Sequence, residues 1–146
     1  MDIKIGIGAR IKAIPVGSRT YVVGNYTTIR NKPAISVIEL VIGKGGLGKK
    51  DTNKLVNKLI KPETIKVEFP FKDATGRVLY SGDAIYYKGK DKVYKGYIAY
   101  GDWANNGESG TGHHIEWEDK TLSSRWKNWS DKKAKIFYGF PPKNKK

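Results

Sequence analysis

Apolar and polar residues alternate along the first forty positions of the chain, which is the period of a half-buried β-strand. The alternation occupies three segments: residues 3–14, 20–29 and 34–42. Turn-forming residues separate them, first Pro15 with Gly17 and then Asn31 with Pro33. Short strands joined by local turns predict a basic β-meander or a small barrel over residues 1–50.

A different spacing follows in residues 51–63. Apolar side chains recur there at the period of an α-helix: Leu55, Val56, Leu59 and Ile60. Pro62 limits the end of this segment, because proline disrupts the interior of a helix. We therefore predict one short helix over residues 51–63 that links two β-rich parts of the chain.

Alternation returns in residues 64–140, where turn residues divide it into several strand-like segments. A polar loop rich in Gly and Asn is predicted at 103–112, and a final strand or short helix within 121–140. Residues 141–146 are predicted to be a disordered tail. The expected fold class is mainly β. We expect small barrels of SH3-like or KOW-like type with one short linking helix. They would be either two separate barrels or one composite barrel.

One motif of the second part places turn residues at fixed spacing: Asp73-x-x-Gly76-x-x-Leu79-Tyr80-x-Gly82-Asp83-x-Ile85. An Asp side chain caps its own backbone and Gly tolerates positive φ, so the motif predicts two tight turns in a hairpin-rich barrel. Two shorter segments follow: Gly96-x-Ile98-x-Tyr100 and His114-Ile115-Glu116-Trp117.

Through these segments, residues 69–120 resemble the YopX-like phage proteins, in which such a motif opens a small SH3-like barrel. The resemblance implies a phage or prophage origin, a structural role for Gly82 and Asp83, and no catalytic residues. Ser81 departs from the family pattern, where an acidic residue is usual, and residues 1–65 have no counterpart in that family.

A second similarity lies within residues 3–42. It is carried by two segments: Gly8-x-Arg10-Ile11-x-Ala13-Ile14 and Thr20-Tyr21-Val22-Val23-Gly24. They resemble KOW or Tudor-like barrels, which use a basic face on nucleic acid. A generic β-meander accounts for the same pattern.

The net charge of the chain indicates the class of its binding partner. Lys and Arg number 28 against 14 Asp and Glu, a net charge of +14 that is spread along the sequence and strongest in residues 1–50. Such an excess attracts phosphate polyanions. We predict nucleic-acid binding, with duplex DNA favoured as the partner, and no membrane partner, because no basic amphipathic helix is visible.

The candidate phosphate contacts are basic residues of the first fifty positions together with a lysine group near the end: Arg10, Lys12, Arg19, Arg30, Lys32, Lys44, Lys49, Lys50, Lys132, Lys133 and Lys135. Near that last group, Trp126 and Trp129 alternate with cations. This arrangement suits stacking on bases, but the spacing of three residues also suits anchoring to a core, and large aromatic residues are mostly buried.

Several chemistries are disfavoured. The chain has no Cys, no Ser in a nucleophile elbow and no carboxylate pair in an apolar setting. Residues 43–49 match the spacing of a phosphate-binding loop, but Lys50 stands where a Ser or Thr should hold magnesium. His113, His114 and Glu116 lack further ligands of clear spacing for a metal. We expect no enzymatic activity, no cofactor and no metal.

An alternative function stays open, that of a phage inhibitor that docks on an acidic host protein such as RNA polymerase or a defence nuclease. It would need an exposed aromatic patch in the second part of the chain, formed by residues such as Tyr86, Tyr87, Tyr94 or Trp103. No apolar run has the length of a membrane span or of a secretory signal, so a cytoplasmic location is expected.

Overall fold

The computed structural model describes residues 5–41 and 52–142. Its strands are β1 (Arg10–Ala13), β2 (Val22–Ile29), β3 (Lys32–Val41), β4 (Thr52–Leu59), β5 (Lys66–Val67), β6 (Ala84–Lys88), β7 (Val93–Tyr100), β8 (Trp103–Asn105), β9 (Glu108–Gly110), β10 (His113–Trp117) and β11 (Ile136–Tyr138). Two 3-10 helices accompany them, Pro62–Thr64 and Trp126–Lys135. The mainly β fold class is confirmed. The chain divides into an N-terminal unit, Ile5–Lys66, and a C-terminal unit that begins at Val67.

The N-terminal unit is built on an antiparallel sheet of order β4-β3-β2-β1-β5. Its core side chains, all at most 9% exposed, alternate along the strands as the sequence pattern predicted: Ile11, Ala13, Ile35, Val37 and Ile60. The β2–β3 connection is a two-residue turn, in which Arg30 and Asn31 both have positive φ. That conformation matches the twist of the two strands and makes a tight hairpin.

The prediction for this part of the chain was a β-meander or a small barrel, and the observed sheet is a meander that bends toward closure without closing. An isolated bridge joins Pro15, just beyond β1, to Ile60, just beyond β4. Val16 donates its backbone N–H to Leu59, and Lys61 donates to Ile14. On one side of this bridge the ladder does not continue, because Ile14 donates its N–H to the Thr64 side chain and not to the opposite strand.

The prediction of a helix over residues 51–63 is wrong, because most of this segment is strand β4. Eight residue pairs connect β4 to β3, from Ala34 with Leu59 to Val41 with Thr52. Successive side chains of a strand point to opposite faces, so Ile60 is buried while Leu55 is 65% exposed. The apolar cluster read as one helical face is therefore split between the two faces of a sheet. The short 3-10 helix follows only at Pro62.

The C-terminal unit contains a four-stranded sheet of order β10-β7-β6-β11. One face of this sheet packs into a core of buried side chains: Phe69, Phe71, Leu79, Ile85, Ile98, Ile115, Trp117, Trp129 and Ile136. Gly96 is part of this packing, because a Cβ atom there would lie 2.7 Å from the Trp117 ring. The strands predicted around the turn motif are confirmed as β6, β7 and β10.

Both aspartates of the turn motif hold backbone turns. Asp73 Oδ1 accepts hydrogen bonds from the backbone N–H groups of Thr75 and Arg77, each at 2.9 Å. Its Oδ2 accepts from the backbone N–H of Tyr138 in β11 at 3.0 Å. Asp83 Oδ2 accepts from the Tyr80 N–H at 2.8 Å, which matches its predicted structural role.

The free edge of β11 is covered by the first of these turns. Besides the bond from Tyr138 to Asp73, Ala74 donates its N–H to the carbonyl oxygen of Ile136 at 2.7 Å. At the other edge, Ile115 of β10 donates to Ser124. These contacts cover both edges of the sheet, so the unit is consistent with the predicted small barrel-like fold but is not a closed barrel.

Two predicted irregular segments have mixed outcomes. The loop at 103–112 contains a two-stranded hairpin, β8 paired with β9. Trp103 lies against Gly110, where a Cβ atom would approach the indole ring to 3.0 Å. Of the predicted disordered tail, residues 143–146 lie outside the described part of the chain, and 141–142 have no regular structure.

Candidate nucleic-acid interface

The basic residues predicted to contact phosphate in the N-terminal unit fall into two groups. Arg10 and Lys12 lie on β1, on the side opposite its buried residues, and Arg19 lies in the loop before β2. Arg30 and Lys32 lie at the β2–β3 turn, at the other end of β2. Arg10 lies opposite Asn25, near the middle of β2, so it is roughly 15 Å from the β2–β3 turn, whereas Arg19 is about one strand length from that turn.

Residues that are distant in sequence meet around one tyrosine. The Nζ atoms of Lys12 and Lys66 lie 5.6 and 5.5 Å from the centroid of the Tyr21 ring. We call these three residues the Tyr21 cluster. A cation over an aromatic face is attracted by about 0.5–1 kcal/mol at an exposed site, and Tyr21 is 41% exposed. One partly exposed ring is thus in contact with two ammonium groups from distant positions in the sequence.

Carboxylates are scarce in the N-terminal unit. Its described residues include nine Lys and Arg but only two acidic residues, Glu39 and Glu63. Glu39 forms an ion pair with Lys58. Arg10, Arg19 and Arg30 are exposed and form no ion pair with any residue in 5–41 or 52–142. Positive side chains therefore outnumber carboxylates by seven in the described part of this unit.

Three predicted contacts and one predicted motif cannot be placed. Lys44, Lys49 and Lys50 lie outside the described residues, and so does the stretch 43–50 whose spacing matches a phosphate-binding loop. Nucleotide binding by that stretch stays a hypothesis, with loss of binding in Lys49→Ala as its direct test.

The lysines predicted near the C-terminus belong to the C-terminal unit. Lys132, Lys133 and Lys135 are exposed on the second 3-10 helix. Trp129 of the same helix is 4% exposed and packs in the core, so it is not free to stack on a base. Lys132 extends its ammonium over the Trp129 ring, 5.1 Å from the centroid.

The two histidines have separate structural roles. His114 is buried, with Nδ1 at 3.0 Å from the Gly112 carbonyl oxygen and Nε2 at 3.3 Å from the Glu116 carboxylate. His113 packs edge-on against Phe69 and Tyr100. Burial, and then the neighbouring His114, lower the pKa of His113, which favours its neutral form.

Within the described ranges, no group of three or more His, Asp or Glu side chains is arranged to hold a metal ion. The contacts of both histidines lie within the fold of the C-terminal unit. Their rings pack against Phe69, Tyr100 and Trp103.

The aromatic patch required by the protein-docking alternative does not form from the four residues proposed for it. Tyr86 is 8% exposed. Tyr87 and Tyr94 stack on each other and pack against the core, while Trp103 stacks on His114. The exposed aromatic side chains of this unit are others, Tyr97, Tyr138 and Phe140, with exposures of 46%, 40% and 69%.

Sequence reasoning missed Tyr21 and Lys66 as partners of Lys12. Each lies in an alternating segment, so an outward-facing position was readable from the sequence. Their proximity was not, because it depends on β5 lying beside β1 in the sheet.

Among the described residues, no helix has the length and apolar character needed to cross a bilayer. Comparison with protein-family models, with curated proteins and with solved structures finds no match to this chain. The geometry of its own residues is therefore the basis for a functional proposal.

Proposed function

We propose that this protein binds DNA with low sequence specificity, through the cationic surface of its N-terminal unit. One observation carries the proposal: nine Lys and Arg residues face only two carboxylates in the described part of that unit. Such an excess of positive over negative side chains creates a potential that concentrates polyanions at the surface. Duplex DNA has the closely spaced negative charges that such a surface attracts.

The contacts would be made by the outward side chains of β1 and by the Tyr21 cluster. Arg10 offers a planar donor group for bidentate contact with a phosphate. Lys12 and Lys66 offer two ammonium groups beside the Tyr21 ring for contact with phosphates. Arg19, Arg30 and Lys32 would extend the contact along the backbone of the nucleic acid.

Low sequence specificity follows from the type of contact. Phosphate contacts fix position and orientation but carry no sequence information, which is read from base edges in the grooves. The residues described in 5–41 and 52–66 include no helix longer than Pro62–Thr64, so the described part of this unit offers no recognition helix for a major groove. We propose that binding energy comes mainly from the release of counterions.

The resemblance to YopX-like phage proteins adds a biological setting to this proposal. Under it, the protein would be encoded by a phage, would act in the cytoplasm of the host cell, and would modulate transcription or chromosome state. The alternative, docking on an acidic host protein, loses support because Tyr86, Tyr87 and Trp103 do not form the exposed patch it required.

Salt dependence of binding is the decisive experiment. Fluorescence anisotropy with a labelled duplex should show affinity falling about 10³- to 10⁵-fold between 50 and 200 mM salt if about 6–10 phosphates are contacted. In the double variant Arg10→Ala, Lys12→Ala, affinity should fall and the slope of log K against log salt should become shallower by about 2, because two phosphate contacts are lost.

The matched control removes the same charge from the other unit, through Lys72→Ala with Lys120→Ala, both exposed. Its slope should stay close to that of the wild type. An equal loss in both double variants would show that only net charge matters and would refute a defined interface. A wild type that fails to bind duplex at 50 mM salt would refute DNA binding itself.

A further inference from the structure

The turn between β2 and β3 holds an arginine in a backbone conformation that arginine disfavours. Among the described residues other than glycine, three have positive φ: Arg30 at +50°, Asn31 at +65° and Asn106 at +54°. Asparagine visits this region because its short amide bonds to the nearby backbone. Arginine lacks such a group, and Asn, Asp and Gly are the residues preferred at the first position of this two-residue turn. Arg30 is therefore held there at a cost in stability, which is a reason to look for a function.

This turn lies at the projecting end of the β2–β3 hairpin. On the β1 side, the outermost backbone bond to β2 runs from the Gly8 N–H to the Tyr26 carbonyl oxygen. On the β4 side, the outermost bond to β3 runs from the Ile60 N–H to the Pro33 carbonyl oxygen. Within the described ranges, residues 28–32 thus pair only inside the hairpin. We call residues 28–32 the hairpin tip, and four of its five residues are exposed.

The hairpin tip carries two cations that no carboxylate engages. Arg30 and Lys32 are exposed and form no ion pair with any residue in 5–41 or 52–142. Of the two carboxylates in the described part of this unit, Glu39 is bonded to Lys58, and Glu63 makes no ion pair with the tip. The tip therefore presents a guanidinium group and an ammonium group to a ligand from a projecting, tightly turned backbone.

We infer that Arg30 enters the minor groove of duplex DNA, while Lys32 remains on the flanking phosphates. The inference rests on the duplex binding proposed above and adds which groove is entered and by which side chain. A minor groove is about 6 Å wide, and where it narrows its negative potential is enhanced and attracts inserted arginine side chains. The planar guanidinium suits this position because it is more weakly hydrated than an ammonium group.

The short projection of the tip favours the minor groove over the major groove. Each strand advances about two residues past its neighbours, or roughly 7 Å, so the ribbon cannot lie along a major groove and place several side chains on base edges. In the minor groove A·T and T·A pairs look alike, and a G·C pair differs by the guanine amino group. The contact therefore separates A·T-rich from G·C-rich DNA only, and duplexes of equal A·T content bind alike however unrelated their sequences are.

The test measures fluorescence anisotropy at 50 mM salt with three labelled duplexes of equal length. One contains A·T tracts, the second is G·C-rich, and the third replaces each guanine of the second with hypoxanthine, the base of inosine. This replacement removes the amino group from the minor groove and leaves the major-groove acceptors in place. The wild type should bind the A·T duplex about 5-fold more tightly than the G·C duplex, the lower end for one specific base contact. The inosine duplex should bind like the A·T duplex.

Two variants of Arg30 separate its side chain from the fold. Arg30→Asn places a preferred residue in the turn, so the Tm should rise by about 1–4 °C while the preference for A·T falls below about twofold. Loss of the preference then cannot result from unfolding. Arg30→Lys keeps the charge and the disfavoured conformation. Its Tm and its affinity for the G·C duplex should match the wild type, but the preference should fall, because an ammonium group is compact and strongly hydrated.

The matched control removes one positive charge elsewhere in the same unit. Lys54 is exposed on β4 and does not belong to the hairpin tip. Lys54→Gln should change the affinity for all three duplexes by the same factor, because a charge that acts only through the general potential does not distinguish base pairs. Its preference for the A·T duplex should equal that of the wild type.

The outcomes distinguish this inference from the proposed function. Loss of the preference in both Arg30 variants, with retention in Lys54→Gln, supports minor-groove entry. Equal binding of all three duplexes by the wild type overturns it and leaves duplex binding standing. A preference that survives in Arg30→Asn, an inosine duplex that binds like the G·C duplex, or a lower Tm in Arg30→Asn also overturns it. A wild type that binds none of the duplexes overturns both proposals.

Discussion

Asp73 shows how one side chain can fix the local fold of a β-rich unit. Burial of its carboxylate raises the pKa, but hydrogen bonds from the Thr75 side chain and from the backbone of Tyr138, Arg77 and Thr75 together lower it further, so that the net pKa lies below its usual value. The ionised carboxylate is thus stabilised in the folded state. Because Tyr138 is 65 residues away in sequence, this group connects a local turn to a distant strand.

At the residue scale, we predict a pH-dependent loss of stability that depends on Asp73. A carboxylate whose pKa is lowered by folding contributes its full stabilisation above its unfolded pKa of about 3.9, and this contribution is lost as pH falls through the lower folded pKa. Asp73→Asn replaces an acceptor oxygen with an amide donor that faces other donors. It should cost about 1–3 kcal/mol at pH 7.

Urea unfolding at several pH values measures this effect. The free energy of unfolding of the wild type should decline at acid pH more steeply than that of Asp73→Asn. Asp131→Asn is the matched control, because Asp131 is exposed on the second 3-10 helix and its neutralisation should change stability by less than about 0.5 kcal/mol. Parallel acid profiles for wild type and Asp73→Asn would contradict the role assigned to this carboxylate.

At the scale of elements, β4 is the segment where the prediction from the sequence, a helix, differs from the structure, a strand. Leu55, Val56, Leu59 and Ile60 satisfy the helical period, and the residues around them do not exclude either structure. Pairing with β3 over eight residues decides in favour of a strand. Strands β3 and β4 are separated in the sequence by other residues. The stabilisation that β4 gains from pairing with β3 therefore cannot be predicted from residues 51–63 alone.

The two interpretations of β4 predict different costs of mutation. In a helix, Leu55 and Ile60 would share the buried face, and truncation of either would be costly. In the strand, Leu55 is 65% exposed and Ile60 is 3% exposed. Leu55→Ala should therefore cost less than about 0.5 kcal/mol, while Ile60→Ala should cost about 2–5 kcal/mol. Chemical denaturation compares them, and similar costs would contradict the strand register.

Other elements were predictable because their signals are local. Gly82 has a φ of +91°, and Asp83 binds the backbone three residues before it, so the turn follows from adjacent residue types. Alternation likewise identified the strands later found as β2, β3, β6 and β7. The extent of barrel closure was not predictable, because it depends on how strand ends such as Pro15 and Ile60 meet in space.

At the scale of the whole molecule, the sign and distribution of charge were readable from the sequence, whereas the candidate sites were not. The excess of basic residues is the reason that we propose a polyanionic ligand. The Tyr21 cluster joins positions 12, 21 and 66 through the neighbouring strands β1 and β5. Arg30 and Lys32, close to Tyr21 in sequence, lie at the opposite end of β2. Sheet order, more than sequence distance, decides which cations act together.

The net charge of +14 leads to a prediction for the intact protein. A ligand that binds only the folded state stabilises it by about 2.7 kcal/mol at 100 times its Kd. Duplex DNA should therefore raise the Tm by several degrees at 50 mM salt and by much less at 500 mM salt, where counterion release no longer favours binding. Two duplexes of unrelated sequence should give equal shifts in a thermal-unfolding assay, and an equal shift at both salt concentrations would contradict an electrostatic mechanism.

The turn that covers the free edge of β11 has a consequence for the behaviour of the protein at acid pH. The groups that cap this strand, the Asp73 carboxylate and the Ala74 N–H, belong to one turn. Protonation of that carboxylate weakens the turn and at the same time uncovers the backbone of β11. Acidified solutions of the protein should accordingly favour self-association through chain-to-chain strand pairing before the core of the unit has melted.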